Sequence, residues 1–414
     1  MLDVFLHDVP VGHIRGGERG LLSFQYGEAA LDQPAASRLS IRLPVRPEPY
    51  DHEATTVFFE NLLPEGEGRD LIAQARHYSP GDVGGLLGMV GGECAGAVSL
   101  WPAGESPSAQ PSYRTLSPAE LAALFDPEYG ARVTDMQIAE RLSMSGAQQK
   151  MIFRRRGGTF ELPLNGSPSN VIIKRAKPVF PGLVLNELAC MRLLAACGFQ
   201  AAVSEGVGGE RLLFQSLRYD RVEQPDGTLR RLHQEDFCQV TGHRSGQKYQ
   251  ARGGPSHADL AQVIRRHCAN PLRDLETLAR WALFNLLVGN NDGHAKNLSL
   301  LYEPGGPALA PVYDVVSTHV YPQIDRELAI HVGGQKSVAG LHRGALEKFA
   351  RSMKMGTSAV SRLGLELAER AEAELPGILH AIAAEHGHDA VLDQIHELVL
   401  DRAAWMKTWL TRTL

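Results

Sequence analysis

Over the first hundred residues, apolar and polar positions alternate in short runs. VFLHDVPVGHI reads as a hairpin around Asp8-Val9-Pro10, and LLSFQYG and RLSIRLPV as two further strands. FFENLLPEGEGRDLIAQARHY begins apolar and takes on helical periodicity in RDLIAQARHY. GLLGMVGGECAGAVSLWP predicts a helix end, a glycine turn and a strand. Residues 102–118, PAGESPSAQPSYRTLSP, are rich in Pro, Ser and Ala and read as a linker. A short helix follows, with Ser117 as N-cap, Pro118 in the first helical position and Glu120 in the third. RLSMSGAQQK then reads as a loop, and MIFRRRGGTFELPL as a hairpin turning at Arg156-Gly157-Gly158. NVIIK is a strand, LVLNELACMRLLAACGF an amphipathic helix stopped by Gly198, and AVSEGV and RLLFQSLRYDR two more strands. From about residue 233 the pattern turns helical. Leu275, Leu278, Ala282 and Leu286 recur at helical spacing within 274–288, and residues 357–412 continue in helices. No internal repeat is visible. This order predicts an α+β chain: a strand-rich lobe joined to a helical lobe, with a cleft between them of the kind that holds ligands.

The 414 residues allow two to three domains, and 43% hydrophobic with 21% charged residues is ordinary globular composition. A net charge of −5 argues against an unaided DNA binder, because phosphate affinity needs a basic surface. The five cysteines are widely spaced without a CxxC pair, which suits a reducing cytosol rather than a disulfide framework or zinc ribbon. MLDVFLHDVPVGHI lacks the pattern of a secretory signal, and no apolar run approaches the ~20 residues of a membrane span. The expected location is cytoplasmic, with no membrane partner.

The helical run WALFNLLV ends in GNNDGHAKN, residues 289–297. Asp292 and Asn297 are five apart, the interval of the protein-kinase catalytic loop, in which the Asp takes the proton of the attacking hydroxyl and the Asn holds Mg²⁺. Taken alone, the pair fits a turn Asp after a helix better. Asp314, in ALAPVYDVVST, sits where a second metal-binding carboxylate would, although Tyr313-Asp314-Val315 lacks the usual glycine and a strand-end Asp satisfied by backbone N–H groups fits equally. Lys174 ends the strand NVIIK, and Glu187 lies thirteen residues on in the next helix, an order that suits a lysine orienting nucleotide phosphates with a glutamate partner. An edge-strand lysine and a solvated helix glutamate fit the same residues. SMSGAQQK, residues 143–150, offers small residues to a phosphate but has no generic phosphate-loop pattern. Arg154-Arg155-Arg156 reads as a solvated hairpin tip, and His386-Gly387-His388-Asp389 as a polar turn between helices. His294 reads as a brace of its loop rather than a metal ligand.

In combination, SMSGAQQK, NVIIK, NELACMRLLAACGF, LRYDR, HQEDFCQVTG, GNNDGHAKN and PVYDVVST resemble the HipA-type serine/threonine kinases, toxins of bacterial type II toxin–antitoxin modules. FFENLLPEG with GGECAGAVSL is similar to the N-terminal subdomain of full-length members, so the resemblance spans nearly the whole chain. It implies a bilobal protein-kinase-like α+β fold: an N-terminal subdomain (1–104), a kinase N-lobe with a serine-containing phosphate loop (105–225) and a helical C-lobe (226–414). It implies ATP and Mg²⁺ as cofactors and Asp292 as the catalytic residue, with Asn297 and Asp314 on the metal. Lys174, with Glu187, would serve the ATP phosphates, Ser145, Gly146 and Ala147 would form the phosphate loop, and the backbone of Gln215–Leu217 would read adenine. Autophosphorylation is implied at Ser143. A second serine, Ser145, stands where many relatives have alanine, so the modified residue is Ser143 or Ser145 or both. A phosphate there would add about −1.5 to −2 charges beside the nucleotide. The implied partners are a small helix-turn-helix antitoxin (HipB-like), operator DNA through that antitoxin alone, and a protein substrate, for which aminoacyl-tRNA synthetases are the family precedent. The rival readings are a small-molecule phosphotransferase of related fold and a catalytically silent kinase-like corepressor scaffold.

Overall fold

The first strands, β1 (Leu2–Leu6) and β2 (Val9–Gly16), close on each other with Leu6 opposite Val9. The turn is therefore His7-Asp8, one residue earlier than the sequence suggests. Both turn residues have positive φ, 52° and 62°. Proline cannot reach positive φ, so Pro10 is excluded from the turn and pairs with Phe5 beside a register shift. A computed structural model describes residues 1–17, 20–125, 142–145, 148–208 and 211–411. It divides into two units, residues 1–177 with 207–235, and residues 178–206 with 236–414.

The first unit has two apolar cores. One lies under a four-stranded sheet of order β3 (Leu22–Tyr26), β2, β1, β4 (Val98–Pro102), with Phe24, Phe59 and Leu87 at its centre. RLSIRLPV, expected as a strand, is irregular there, with a single bridge between Ser40 and Leu43. Leu39 and Leu43 are buried, and the Tyr26 hydroxyl serves their backbone by accepting from Leu39 N at 3.1 Å and donating to Leu43 O at 2.7 Å. A side chain thus does what a neighbouring strand would have done. The second core gathers Leu116, Phe125, Phe153, Val171 and Ile173. It lies under a sheet that runs from β5 (Ser112–Leu116) through β8 (Thr159–Leu164), β7 (Gln148–Arg156) and β9 (Val171–Ala176) to the strand Leu213–Leu217, with β6 (Leu142–Ser145) added to β7. The 102–118 linker reading is overturned over Ser112–Leu116, which pairs along all of its length with β8. The helix start at Ser117 is as expected, with a full capping box to Glu120 and Pro118 at the first position. The turn after Arg156 also stands, since Arg156 pairs with Thr159. Arg154 is not a solvated tip residue. It lies over the Tyr113 ring at 4.3 Å, donates to Gly227 O at 2.7 Å and pairs with Glu161 at 3.6 Å, because a planar guanidinium can stack and donate at once.

Buried ions join the two cores. Glu93, fully enclosed, receives Arg218 at 2.9 Å, Arg221 at 3.0 Å and Arg231 at 3.0 Å. Asp220 takes Arg218 and Arg221 at 2.8 Å each and accepts the Gly96 amide at 2.8 Å. Ser169 N and Oγ both donate to Glu93 at 2.9 Å, tying the network to the turn before β9. Burial pushes the Glu93 carboxyl up, but Arg221, Arg218 and Arg231 outweigh it and hold the group at about 2. The same balance holds Asp220 below the usual carboxylate range.

The second unit is mainly helical: Leu183–Ala196, His257–His267, Pro271–Val288, Arg343–Ser352, Thr357–His386 and Ala390–Thr411, with a hairpin of Ser299–Glu303 and Gly306–Leu309. The 271–288 helix is buried on nearly every side in its C-terminal half, where Trp281, Phe284 and Leu287 are enclosed. Gly364 lets the last two helices approach closely, since a Cβ there would stand 2.3 Å from Leu410. Among the described residues, no helix is long and apolar enough to cross a membrane.

Glu93→Gln keeps the shape and removes the charge that three arginines share. It should destabilise the fold by about 3–5 kcal/mol, because it leaves buried cations uncompensated; urea unfolding measures this. The pH dependence has a definite sign. Glu93 is depressed in the fold, so its contribution is present above about 4.5 and drains away as pH falls toward about 2. The gap between wild type and Glu93→Gln should therefore narrow on acidification.

Candidate active site

The 271–288 helix ends at Gly289, which has φ 66° and returns its N–H to Asn285 O. A Cβ on Gly289 would meet the His319 side chain at 2.7 Å, so glycine is required both by conformation and by space. From that cap a ladder of amides shapes the next turn. Asn290 N donates to Asn285 O at 2.8 Å and its Nδ2 to Asn285 Oδ1 at 2.9 Å. Asn290 Oδ1 accepts from Asp292 N at 2.9 Å. Asn291 N donates to Thr318 Oγ1 at 2.8 Å, and its Nδ2 donates to Asp325 O at 3.1 Å. Gly293 packs against the Asn285 amide, 2.7 Å from where a Cβ would stand. The three asparagines and two glycines of GNNDGHAKN are therefore the scaffold that aims Asp292.

Asp292 projects outward, with its side chain 54% exposed, and accepts a short hydrogen bond from the Tyr249 hydroxyl. His294 is buried behind it, edge-on to the Tyr249 ring at 5.1 Å and 4.0 Å from the Asp292 carboxylate. Lys296 turns away to pair with Asp236 at 2.6 Å. Asn297 closes the loop: its Nδ2 donates to Asp292 O at 3.0 Å and to Asp314 O at 3.5 Å. With the amide nitrogen used in this way, Oδ1 is the atom that can serve a ligand. Asp314 itself has φ 59°, a left-handed conformation that costs a non-glycine residue about 1 kcal/mol. Its segment is held on both sides. Tyr313 OH donates to Lys296 O at 2.7 Å, and Asn186 brackets Ser317, accepting from its N at 2.8 Å and donating to its O at 2.9 Å.

Asp292, Asn297 and Asp314 thus fall in one hydrogen-bonded arrangement. Among the described residues, no cluster of three or more His, Cys, Asp or Glu is placed to hold a metal. Two side-chain oxygens completed by phosphate oxygens is the arrangement Mg²⁺ accepts. The other expected residues are placed as follows. Lys174 is buried on β9, its Nζ 5.1 Å from the Phe214 ring centre, with Lys150 of β7 directly opposite. Gln215 is buried opposite Ile173, and Leu217, 41% exposed, lies opposite Val171. Glu187 is fully buried in the 183–196 helix of the second unit, not solvated. The loop expected over SMSGAQQK is partly a strand pair: Ser143 lies opposite Lys150 and Ser145 opposite Gln148. Gly146 and Ala147 lie outside the described residues. Tyr249, Asn186, Asn285 and Thr318 were not legible in the sequence as parts of this site. Only the position of Asn285, a polar residue inside an apolar helical run, gave a signal.

Comparison with known proteins covers most of the chain. Residues 2–101 match the HipA N-terminal domain and residues 142–375 the HipA-like C-terminal domain. A protein of Sinorhizobium fredii named as a kinase is 36% identical over 371 residues, 87% of this chain and 88% of its own. The serine/threonine-protein kinase toxin HipA of Shewanella oneidensis is 30% identical over 300 residues, 67% of this chain and 66% of its own. A chain in the solved complex of the Shewanella oneidensis toxin–antitoxin proteins HipA and HipB with operator DNA superposes with a TM-score of 0.87 at 24% identity, covering 100% of this chain and 99% of that one. The fold is thus the kinase-like α+β fold expected from the sequence.

Asn297→Asp replaces the donating amide with a carboxylate that faces the carbonyls of Asp292 and Asp314. It should lower stability by about 1–3 kcal/mol, read as a fall in the unfolding temperature.

Proposed function

The chain belongs to the HipA family, and on that premise we propose that it is an ATP- and Mg²⁺-dependent serine/threonine protein kinase, the toxin of a toxin–antitoxin pair. The observation that carries this reading is the single amide of Asn297 bound to the backbones of both Asp292 and Asp314. ATP would supply the phosphoryl group, and Mg²⁺, held by Asn297 Oδ1 and the Asp314 carboxylate, would neutralise its charge. Asp292 is outward-facing and oriented by Tyr249, and it takes the proton of the substrate hydroxyl. Lys174, beside Lys150, holds the phosphates, and Glu187 serves the same task. The Gln215–Leu217 backbone takes the adenine, and Ser145, Gly146 and Ala147 serve the phosphates.

In this reading the enzyme acts in the cytoplasm and silences itself by phosphorylating Ser143 or Ser145. A phosphate added there would compete for the positive charge that serves the nucleotide. A small HipB-like helix-turn-helix antitoxin restrains the kinase and supplies the operator contacts that a chain of net charge −5 does not favour. The N-terminal subdomain (1–104), N-lobe (105–225) and C-lobe (226–414) then divide the work. The substrate is a protein, with an aminoacyl-tRNA synthetase as the first candidate.

Asp292→Asn should reduce phosphoryl transfer by about 10²–10⁴-fold and remove growth arrest, with the unfolding temperature unchanged. Labelling of the protein or of a lysate at the wild-type rate would refute Asp292 as the base. Mass spectrometry after incubation with ATP and Mg²⁺ should find phosphate on Ser143 or Ser145; phosphate on neither, with transfer to a small acceptor, would favour a small-molecule phosphotransferase.

A further inference from the structure

Behind the loop that carries Asp292, two guanidinium groups converge on one histidine. Arg326 Nη1 donates to His319 O at 2.7 Å. Arg402, from the last helix, places Nη2 3.5 Å from both ring nitrogens of His319. Burial first, then Arg402 and Arg326, lower the His319 imidazole to about 4, which keeps it neutral at physiological pH. Arg402 is half-buried and feels Arg326 as a repulsive neighbour. Among the described residues, neither arginine forms an ion pair with a carboxylate. The sequence neighbour of Arg326, Asp325, uses its Oδ1 on the Glu327 amide. Two half-buried like charges without a counterion are unfavourable, and a dianion between them would reverse the sign of the interaction.

We propose that Arg326 and Arg402 form an anion site for a phosphate monoester or free phosphate dianion, and that filling it stiffens the Asp292 loop from behind. Two forked guanidiniums match the charge and the tetrahedral oxygens of phosphate better than one carboxylate or a halide would. The site connects directly to the loop. His319 N donates to Gly289 O at 3.0 Å, Thr318 Oγ1 donates to the same oxygen at 3.1 Å, and Asn291 Nδ2 holds Asp325 O at 3.1 Å. An anion bridging Arg326 to Arg402 would therefore pin segment 318–326 to the last helix, and with it both ends of the Gly289–Asn291 turn. The binding site stands independently of the kinase reading; only its effect on phosphoryl transfer rests on that reading.

The test is calorimetric titration of the full chain with inorganic phosphate and, separately, with a phosphoserine peptide, at constant ionic strength in chloride. Lys174→Gln removes the lysine proposed to hold nucleotide phosphates and should leave this binding in place. Arg402→Gln and Arg326→Gln should each weaken it about tenfold or more. Arg402→Lys, which keeps the charge but loses the fork, should fall between. Tighter binding of the peptide identifies a phosphorylated side chain as the source, and tighter binding of phosphate identifies the free ion. Unchanged binding in both arginine variants, loss confined to Lys174→Gln, or no saturable binding by wild type would overturn the site. If binding behaves as expected but saturating phosphate leaves the transfer rate of wild type unchanged, the link to the loop is refuted while the site remains.

Discussion

One amide holds the candidate centre together. Asn297 donates to the carbonyls of Asp292 and Asp314, which reach it from opposite directions, one from a helix cap and one from the segment after a hairpin. Because both carbonyls share a single –NH₂ group, neither aspartate can shift without loosening the other. The left-handed backbone at Asp314 is a conformation that its own sequence does not favour. It persists because Tyr313, Asn186 and Thr318 fix the chain on both sides. The result is an arrangement held by the chain's own contacts, of the kind by which positioning lowers a barrier.

A different constraint governs the first unit. Its two apolar cores draw on separate stretches, one from residues 2–100 and the other from residues 116–213. The largest shared structure between them is ionic. Glu93 and the backbone at Cys94 and Gly96 come from one side, and Arg218, Asp220, Arg221 and Arg231 from the chain that follows the Leu213–Leu217 strand. Such a network adds little stability over an apolar contact of the same size, but it tolerates only one alignment, since each displaced group would be a buried charge without a partner.

Much of this was legible in the sequence where the signal is local. The Ser117 capping box, the Arg156–Thr159 turn and the 271–288 helix depend on neighbours within a few positions, and each was found. The readings that failed needed distant partners. Residues 38–45 are irregular because Tyr26 satisfies their backbone. Ser112–Leu116 is a strand because β8 lies beside it, although its composition suggests a linker. Arg154 is held by Tyr113 and Gly227, forty and more residues away.

The division is the same at the candidate site. By itself the sequence singled out the candidate residues and their order, because side-chain type and spacing are properties of the chain: Asp292 and Asn297 five apart, Asp314 beyond, Lys174 before. Tertiary structure alone decided that Tyr249 orients Asp292, that Asn186 and Thr318 brace the segment after Asp314, and that Arg326 and Arg402 both reach His319. Apart from that of Arg326 with His319, those contacts join residues 27 to 131 positions apart. No local pattern encodes such pairs; they form only once burial has fixed where each element lies.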